Sequence, residues 1–129
     1  MKTVLILLSL LCSAFATVQA PEFLDRSGSA FLRSCSAIDK DQRTEAESES
    51  SLRCGYYVLG VVQGAEFGVT VAAAKAGKKV PELFCRPDDV EIGQLVKVVV
   101  KYIRDAREFA HLPAPDLIIN AMRRAYPCM

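Results

Sequence analysis

Hydrophobic residues recur with helical spacing after the Pro-Asp-Asp sequence in the second half of the chain. They fall three and four positions apart, whereas Lys97, Lys101 and Arg104 collect on another side. A strand would place Lys97 and Lys101 on the same face as Leu95 and Val99, so the pattern predicts an amphipathic helix despite the valines. The apolar stripe of this helix comprises Ile92, Leu95, Val96, Val99, Ile103 and Ala106.

Three other segments are also predicted to be helices. A short first helix is expected over residues 23–37, and a long second helix over residues 50–77, with serines able to cap its start and Gly77 at its end. The last segment has Pro115 in its first turn and stops at Pro127. Its apolar stripe comprises Ala114, Leu117, Ile118, Ala121, Met122 and Ala125.

The second segment is apolar enough to suggest a membrane span. Gln63 and Glu66 lie near its middle, however, and a charge at the centre of a span costs about 2.5–3.5 kcal/mol. We therefore expect a buried helix. Gly60, Gly64 and Gly68 form a small face that favours close packing within the chain, although an exposed small face could serve a dimer.

The polar segments are expected to connect these helices. Residues 36–50 are charged, contain no aromatic residue and predict a mobile loop without regular structure. Before the third helix, Asp88 and Glu91 form a D-x-x-E sequence that is expected to cap it. Residues 17–129 are therefore predicted to form one domain, a small all-α bundle of four to five helices.

The N-terminal segment has the composition of an export signal. A short basic stem precedes the apolar run TVLILLSLLCSAFA, and Ala14-Phe15-Ala16 supplies the small residues that precede a cleavage site. We therefore expect residues 1–16 to be a signal peptide; a second candidate site after Ala20 is disfavoured by Pro21. The mature protein is then expected in the periplasm, with no membrane span left after cleavage.

Five cysteines are present, and Cys12 leaves with the signal. An even set of four in a small exported chain indicates two disulfides, which allow three connectivities. Cys35 ends the first helix and Cys54 begins the second, while Cys85 precedes the third helix and Cys128 follows the fourth. Antiparallel hairpins would bring each pair together, so we predict that the bridges Cys35–Cys54 and Cys85–Cys128 staple the bundle. A single bridge with two free thiols stays the alternative.

Charge and histidine content argue against several functions. The net charge is +1, which does not favour nucleic acid as a partner. No C-x-x-C pair is present and His111 is the only histidine, which argues against a metal site. A catalytic role for His111 would need a nearby nucleophile, and the cysteines are expected to be oxidised. We therefore predict no enzyme activity, no catalytic residue, no metal and no cofactor.

Tyr56 and Tyr57 are expected to pack in the core and at its rim.

Five short motifs together resemble one bacterial family. They are G-x-x-F-L-x-x-C (Gly28–Cys35), C-x-x-Y-V-x-G (Cys54–Gly60), F-C-x-P (Phe84–Pro87), Q-L-x-x-V-V (Gln94–Val99) and H-x-x-A-x-x-L-I-x-x-A-M-x-x-A-Y-P-C (His111–Cys128). The ordered cysteines, F-C-x-P and the terminal Y-P-C are the most specific part. The series is similar to the resistance-associated immunity proteins of bacterial type VI secretion, some of which are called type VI amidase immunity proteins.

The resemblance implies a small helical periplasmic protein, often a homodimer, that binds a toxic peptidoglycan amidase and occludes its active site. Such a protein protects the producing cell and its sisters from their own effector toxin. The basic side formed by Lys97, Lys101 and Arg104 is our candidate for a polar contact with that partner. The alternative is a generic periplasmic helical protein, either a stress chaperone or a carrier of an apolar ligand.

Overall fold

A computed structural model of the protein describes residues 26–129, so the predicted signal peptide and its cleavage sites lie outside the described residues. Within that range the chain forms four α-helices and no strand, which confirms the predicted all-α bundle. The helices are α1 (Gly28–Ser34), α2 (Glu45–Lys75), α3 (Ile92–Asp105) and α4 (Ala114–Ala125), and a 3₁₀ turn (Arg107–Phe109) joins α3 to α4.

The core consists of one side of α3 and one side of α4, packed against each other and against the first half of α2. The apolar stripes predicted for α3 and α4 differ from the structure at three terminal positions: Ile92 and Ala125 are exposed in the end turns of their helices, and Ala106 is partly buried just after the last residue of α3. Each fully buried aliphatic side chain contributes about 1.5–3 kcal/mol relative to its exposed state. The predicted positions that are confirmed as buried are Leu95, Val96, Val99 and Ile103 of α3 and Ala114, Leu117, Ile118, Ala121 and Met122 of α4.

The helix α2 begins earlier than the sequence pattern predicts. Thr44 is its N-cap: the Thr44 hydroxyl accepts a hydrogen bond from the Glu47 N–H, and the Glu47 carboxylate accepts one from the Thr44 N–H at 3.0 Å. This capping box satisfies two N–H groups that a helix start would leave unpaired, so the helix includes the polar residues 45–50. The loop predicted over residues 36–50 is therefore wrong beyond residue 44.

Two cations hold the connection between α1 and α2. Arg43 donates from Nε to the carbonyl oxygen of Ala37 at 3.0 Å and from Nη2 to that of Ile38 at 3.1 Å. Lys40 forms an ion pair with Glu47, and this hydrogen bond is the main reason why the pKa of Glu47 is lowered. The connection thus has internal hydrogen bonds, although its sequence carries no helical or strand period.

The end of α2 follows the expected glycine stop. Gly77 has a φ of 63°, the left-handed conformation that glycine adopts without steric cost. The Lys78 N–H donates to the carbonyl oxygen of Ala73 at 2.9 Å, and the Gly77 N–H donates to that of Ala74 at 3.2 Å. These two bonds form a Schellman motif, which terminates the helix after Lys75.

The start of α3 differs from the predicted cap. Glu91 is the N-cap residue and its side chain makes no capping hydrogen bond. Asp88 lies in a turn in which the Val90 N–H donates to the carbonyl oxygen of Pro87 at 3.4 Å. Because this turn separates Asp88 from the first helical residue, the D-x-x-E sequence does not form a capping box, and that prediction is wrong.

The short helix α1 is fixed to the segment that precedes α4. The Gly28 N–H donates to the carbonyl oxygen of Leu112 at 2.9 Å. A Cβ atom on Gly28 would overlap the side chain of Leu117 and would lie 3.1 Å from the carbonyl oxygen of Ala110. Glycine is therefore the residue that allows α1 to approach α4 this closely.

Both predicted disulfides are confirmed. The Cα atoms of Cys35 and Cys54 lie 5.7 Å apart, and those of Cys85 and Cys128 lie 4.9 Å apart. The alternative of one bridge with two free thiols is therefore wrong. The bridges span 19 and 43 positions, for which chain entropy gives about 3 and about 4 kcal/mol of stabilisation. Cys35 and Cys54 are buried, whereas Cys85 and Cys128 are exposed.

We predict that Gly28→Ala lowers the free energy of unfolding by about 1–3 kcal/mol, because the added methyl group forces Leu117 or the backbone to move. Gly93→Ala is the matched control, since a Cβ at Gly93 meets no atom within 4 Å. At Gly93 alanine should stabilise by about 0.5–1 kcal/mol. Urea denaturation of both oxidised variants measures the difference; equal effects of the two substitutions would contradict the tight contact.

We also predict that the two disulfides are reduced in a fixed order. A small thiol reductant should open Cys85–Cys128 first, because reduction needs access to a sulfur atom, and Cys35 and Cys54 are only 1% and 4% exposed. Timed alkylation followed by peptide mass mapping measures the order. The urea-unfolded protein is the control, in which both bridges should react together; earlier alkylation of Cys35 and Cys54 in the folded protein would refute the prediction.

Candidate functional site

The rest of the bundle covers only part of the long helix α2. Its 31 residues extend for about 46 Å at 1.5 Å per residue, whereas α3 and α4 have 14 and 12 residues. The buried positions of α2 lie on one side and, except for Ala73, end at Val62. The predicted buried helix is therefore wrong over the second half of α2.

Large apolar side chains of α2 face solvent. Leu52 is 61% exposed, Tyr56 68% and Phe67 71%. The expectation that both tyrosines pack is wrong for Tyr56. Tyr57 is 40% exposed, with its ring 6.2 Å from that of Phe31, and partial burial raises the pKa of its hydroxyl. Apolar side chains of this size, exposed along one helix, indicate a surface that another molecule covers.

The small face of α2 is also open. A Cβ atom built on Gly60, Gly64 or Gly68 would meet no atom within 4 Å. The expectation that this face packs against another helix of the same chain is therefore wrong. It forms an uncovered strip on the helix; in the sequence Tyr56 precedes the strip, and Phe67 lies between Gly64 and Gly68.

By length and composition α2 could cross a membrane, and only 17% of its apolar window is buried within the described part of the chain. One side of its first half nevertheless belongs to the core. Val58 and Val62 are fully buried, and Cys54 is bonded to Cys35. A membrane span would have to remove these side chains from the core, so in this structure α2 is an element of the bundle.

An apolar groove lies between the first half of α2, the start of α3 and the connection that precedes α2. Its volume is about 320 Å³. Three partly exposed apolar side chains, Leu52, Tyr56 and Ile92, meet here, and the fully buried Val96 contributes to the lining. The apolar groove can therefore accept an apolar side chain of another molecule.

The shape of the apolar groove depends on a glycine and an arginine. A Cβ atom on Gly55 would come within 2.8 Å of Cγ2 of Ile92, so glycine allows α3 to approach α2. Arg43 forms part of the wall, and its guanidinium donates to two backbone carbonyls. The Ser51 hydroxyl donates to the carbonyl oxygen of Glu47 at 2.9 Å. The guanidinium of Arg43 and the hydroxyl of Ser51 thus have partners within the chain, and most of the other lining side chains are apolar.

The predicted contact residues Lys97, Lys101 and Arg104 lie together along a polar depression of about 390 Å³. Two of them form ion pairs: Arg104 Nη1 lies 2.8 Å from a carboxylate oxygen of Asp39, and Lys101 Nζ lies 2.9 Å from one of Asp105. Pairs this exposed contribute little to stability. They do lower the net positive charge of the depression, so the basic side is less basic than its sequence indicates.

The apolar groove and the polar depression are adjacent. Ile38 and Val96 line the groove, and their sequence neighbours Asp39 and Lys97 line the depression. Both are thus lined by neighbouring residues of α3 and of the connection after α1. The cations were predictable from their helical spacing, whereas the groove was not, because it forms only when α2 and α3 pack at Gly55.

Histidine and cysteine, the two residue types considered above for catalysis, do not line this surface. His111 is exposed in the turn before α4, and the cysteines within residues 26–129 are all bonded in pairs. Glu82 lies beside the exposed disulfide, with its Oε2 3.0 Å from Sγ of Cys85. Because a disulfide sulfur carries no proton and is no thiolate, this cluster of Glu82, Cys85 and Cys128 is not a thiolate metal site in the oxidised protein. The absence of catalytic and metal residues stays a prediction.

Comparison with known proteins identifies the family. The model of the Rap1a immunity proteins matches residues 27–128, which include all four helices and both disulfides. Searches of curated proteins and of solved structures give no significant match. Proteins of this family are generally non-catalytic, bind an effector toxin and are typically periplasmic or exported. The chain therefore belongs to the Rap1a immunity proteins, a family of immunity proteins against secreted effectors.

Proposed function

We propose that the protein is a periplasmic immunity protein that binds a type VI secretion effector and occludes its active site. The family match over residues 27–128 carries this proposal. The motifs that resemble type VI amidase immunity proteins supply the effector class, a peptidoglycan amidase. The apolar N-terminal run supports export, and two disulfides suit an oxidising compartment.

The proposed effector-binding surface is the apolar groove together with the polar depression beside it. Specific interfaces combine a desolvated apolar centre with a polar rim, and this surface has both. Leu52, Tyr56 and Ile92 are placed to surround an apolar side chain of the effector. On the rim Lys97 forms no ion pair within residues 26–129, so it is available to an acidic group of the effector.

Inhibition by this route needs no chemistry from the immunity protein. Occlusion acts by steric exclusion of the peptidoglycan substrate, and the strength of inhibition follows the affinity of the complex. An exposed apolar groove fits a protein that acts by binding alone. A few well-packed contacts in such a groove can carry most of the binding free energy.

We also propose that the protein is a homodimer, as the family resemblance implies. The exposed second half of α2 supports this proposal, because it carries Phe67 and an open glycine strip outside the effector-binding surface. Sedimentation equilibrium of the oxidised mature chain tests it. A single monomeric species at every protein concentration measured would refute the dimer. The proposed immunity function would not be affected by that result.

Affinity capture tests the proposed function. The oxidised mature protein serves as bait, and envelope and secreted fractions of the source bacterium provide the prey. We expect capture of a peptidoglycan-cleaving enzyme whose amidase activity falls when the bait is added in equal amount. The proposal would be overturned if the captured amidase stays fully active. It would also be overturned if no effector is captured from a fraction that is shown to contain effectors.

A pair of variants tests the location of the surface. Leu52→Glu should weaken inhibition by about tenfold or more, because a charge would enter the apolar centre of the interface. Phe109→Glu is the matched control, since Phe109 is a 47% exposed apolar residue outside the groove. Equal inhibition by both variants would show that the effector binds elsewhere, although the immunity function would stand.

The alternative function, a periplasmic carrier of an apolar ligand, makes a different prediction. A dye that fluoresces in apolar surroundings would then bind the native protein saturably, and an apolar compound that occupies the same site would displace it. The apolar groove favours occlusion over transport, because it is open to solvent beside exposed tyrosine and leucine side chains. Saturable, displaceable dye binding without any effector partner would support the carrier.

A further inference from the structure

We infer that Glu82, Cys85 and Cys128 bind one zinc ion when the exposed disulfide between the two cysteines is reduced. In the oxidised protein the two sulfur atoms are bonded to each other and neither is a thiolate, which is the form that binds metal. The zinc site therefore forms only in the reduced protein. None of its three residues lines the apolar groove or the polar depression, so the inference does not depend on the proposed effector-binding function.

The three donor atoms of this site suit zinc. The carboxylate of Glu82 and the two sulfur atoms lie within 4.8 Å of one another, and all three residues are exposed, so an ion can reach them from solvent. Zinc binds thiolate sulfur at about 2.3 Å and carboxylate oxygen at about 2.0–2.2 Å, so donors around a tetrahedral ion are about 3.5–3.8 Å apart. Side-chain rotations are enough to reach these distances. Two thiolates also favour zinc over magnesium or calcium, which prefer oxygen ligands.

The spacing of Glu82 and Cys85 is that of paired zinc ligands. The two residues form an E-x-x-C sequence, in which a carboxylate stands where a C-x-x-C sequence has its first cysteine. Paired ligands of structural zinc sites commonly have two to four residues between them. The third donor, Cys128, follows α4 and lies 43 positions from Cys85. Cysteine pairs and histidines alone do not reveal such a site, because one donor is a glutamate and another is distant in the sequence.

Contacts other than the disulfide hold the two cysteines near each other. The Cys85 N–H donates to the carbonyl oxygen of Tyr126 at 2.8 Å, and the Tyr126 N–H donates to that of Met122 in α4 at 2.8 Å. Phe84, next to Cys85, is only 7% exposed and belongs to the core. The chain on both sides of the disulfide is thus fixed by the core and by backbone hydrogen bonds. After reduction, the two thiols should stay close enough to share one ion.

Reduction and metal binding are two separate steps. A thiol reductant supplies the two electrons: its thiolate attacks one sulfur of the bridge, and a second reductant thiolate then releases the mixed disulfide. The products are two cysteine thiols and the disulfide of the reductant. Zinc replaces the two thiol protons, which pass to solvent, and the carboxylate of Glu82 gives the third bond. The ion then joins the segment before α3 to the residues after α4, as the disulfide does in the oxidised protein.

The first test is zinc titration of protein in which only Cys85–Cys128 is reduced. A limiting amount of dithiothreitol opens the exposed bridge, gel filtration under nitrogen removes the reagent, and peptide mapping after alkylation confirms that Cys35–Cys54 is intact. Calorimetry should give one zinc site per reduced chain and at least about a hundredfold weaker binding to the oxidised protein, which has no thiolates at this site. Equal affinity in the two states, or no binding to the reduced state, would overturn the inference.

Cobalt identifies the donor atoms in the same preparation. Reduced protein loaded with Co²⁺ should show thiolate-to-metal charge-transfer absorption, and the oxidised protein should not. An ion that binds the reduced protein without this absorption would be held by carboxylates alone, and that result would also overturn the site.

The second test is Glu82→Gln, with Asp88→Asn as the matched control. Both substitutions remove one exposed carboxylate three positions from Cys85, but only Glu82 belongs to the group of three donors. Glu82→Gln should weaken zinc binding to the reduced protein by at least about tenfold, since even the loss of an outer partner of a metal site costs that much. Asp88→Asn should leave the affinity unchanged. Equal losses in the two variants, or no loss in Glu82→Gln, would refute the role of Glu82.

Thermal unfolding gives a readout that is independent of the titration. Zinc at about 100 times its dissociation constant should raise the Tm of the reduced protein by about 5–10 °C, because the ion binds the folded chain better than the unfolded chain. The Tm of the oxidised protein should not change, and a chelator should reverse the rise. A rise of equal size in the oxidised protein would contradict a site made by reduction. The proposed immunity function would stand in that case, because inhibition is measured with oxidised protein.

Discussion

The structure depends on the burial of the apolar stripes of α3 and α4 against the first half of α2. The positions at the centre of these stripes are almost fully buried, and with Val58 and Val62 of α2 they make a continuous core. Because α3 and α4 have 14 and 12 residues, this core can cover only about half of the 31-residue α2. The exposed half of α2 is thus a direct consequence of unequal helix lengths.

The ends of the bundle are held by covalent bonds and close backbone contacts. Cys35–Cys54 joins the end of α1 to the buried side of α2, and Cys85–Cys128 joins the segment before α3 to the residues after α4. Next to the second bridge the Cys85 N–H donates to the carbonyl oxygen of Tyr126 at 2.8 Å. A core of this size supplies limited stability, and the two cross-links add to it.

Periodicity predicted α3 and α4 well because an amphipathic stripe reports directly which side of a helix is buried. Cysteine spacing predicted both disulfides for a similar reason, since hairpins place the ends of neighbouring helices together. Prediction from the sequence pattern failed at the start of α2, where local hydrogen bonds determine the first residue of the helix. The capping box of Thr44 and Glu47 extended α2 into residues 45–50, whose composition is typical of a loop.

The α2 helix shows why apolar composition does not by itself predict burial. The run from Cys54 to Ala74 is apolar except at a few positions such as Gln63, Glu66 and Thr70, so no strong apolar stripe distinguishes the core side from the outer side. Of the surface along α3, only the cations Lys97, Lys101 and Arg104 were predicted, because they share a helical face. The groove beside them depends on the contact of Gly55 with Ile92, which joins residues far apart in the sequence.

The division of α2 into two halves also suggests how one small chain can bind two partners. Its first half forms the wall of the apolar groove through Leu52, while its glycine strip begins at Gly60. Tyr56, which lines the groove, lies before the glycine strip in the sequence. A homodimer through the exposed second half of α2 would hold two effector-binding surfaces in a fixed relation. Each surface is built from α2, α3 and the connection after α1, and needs no residue from the second copy.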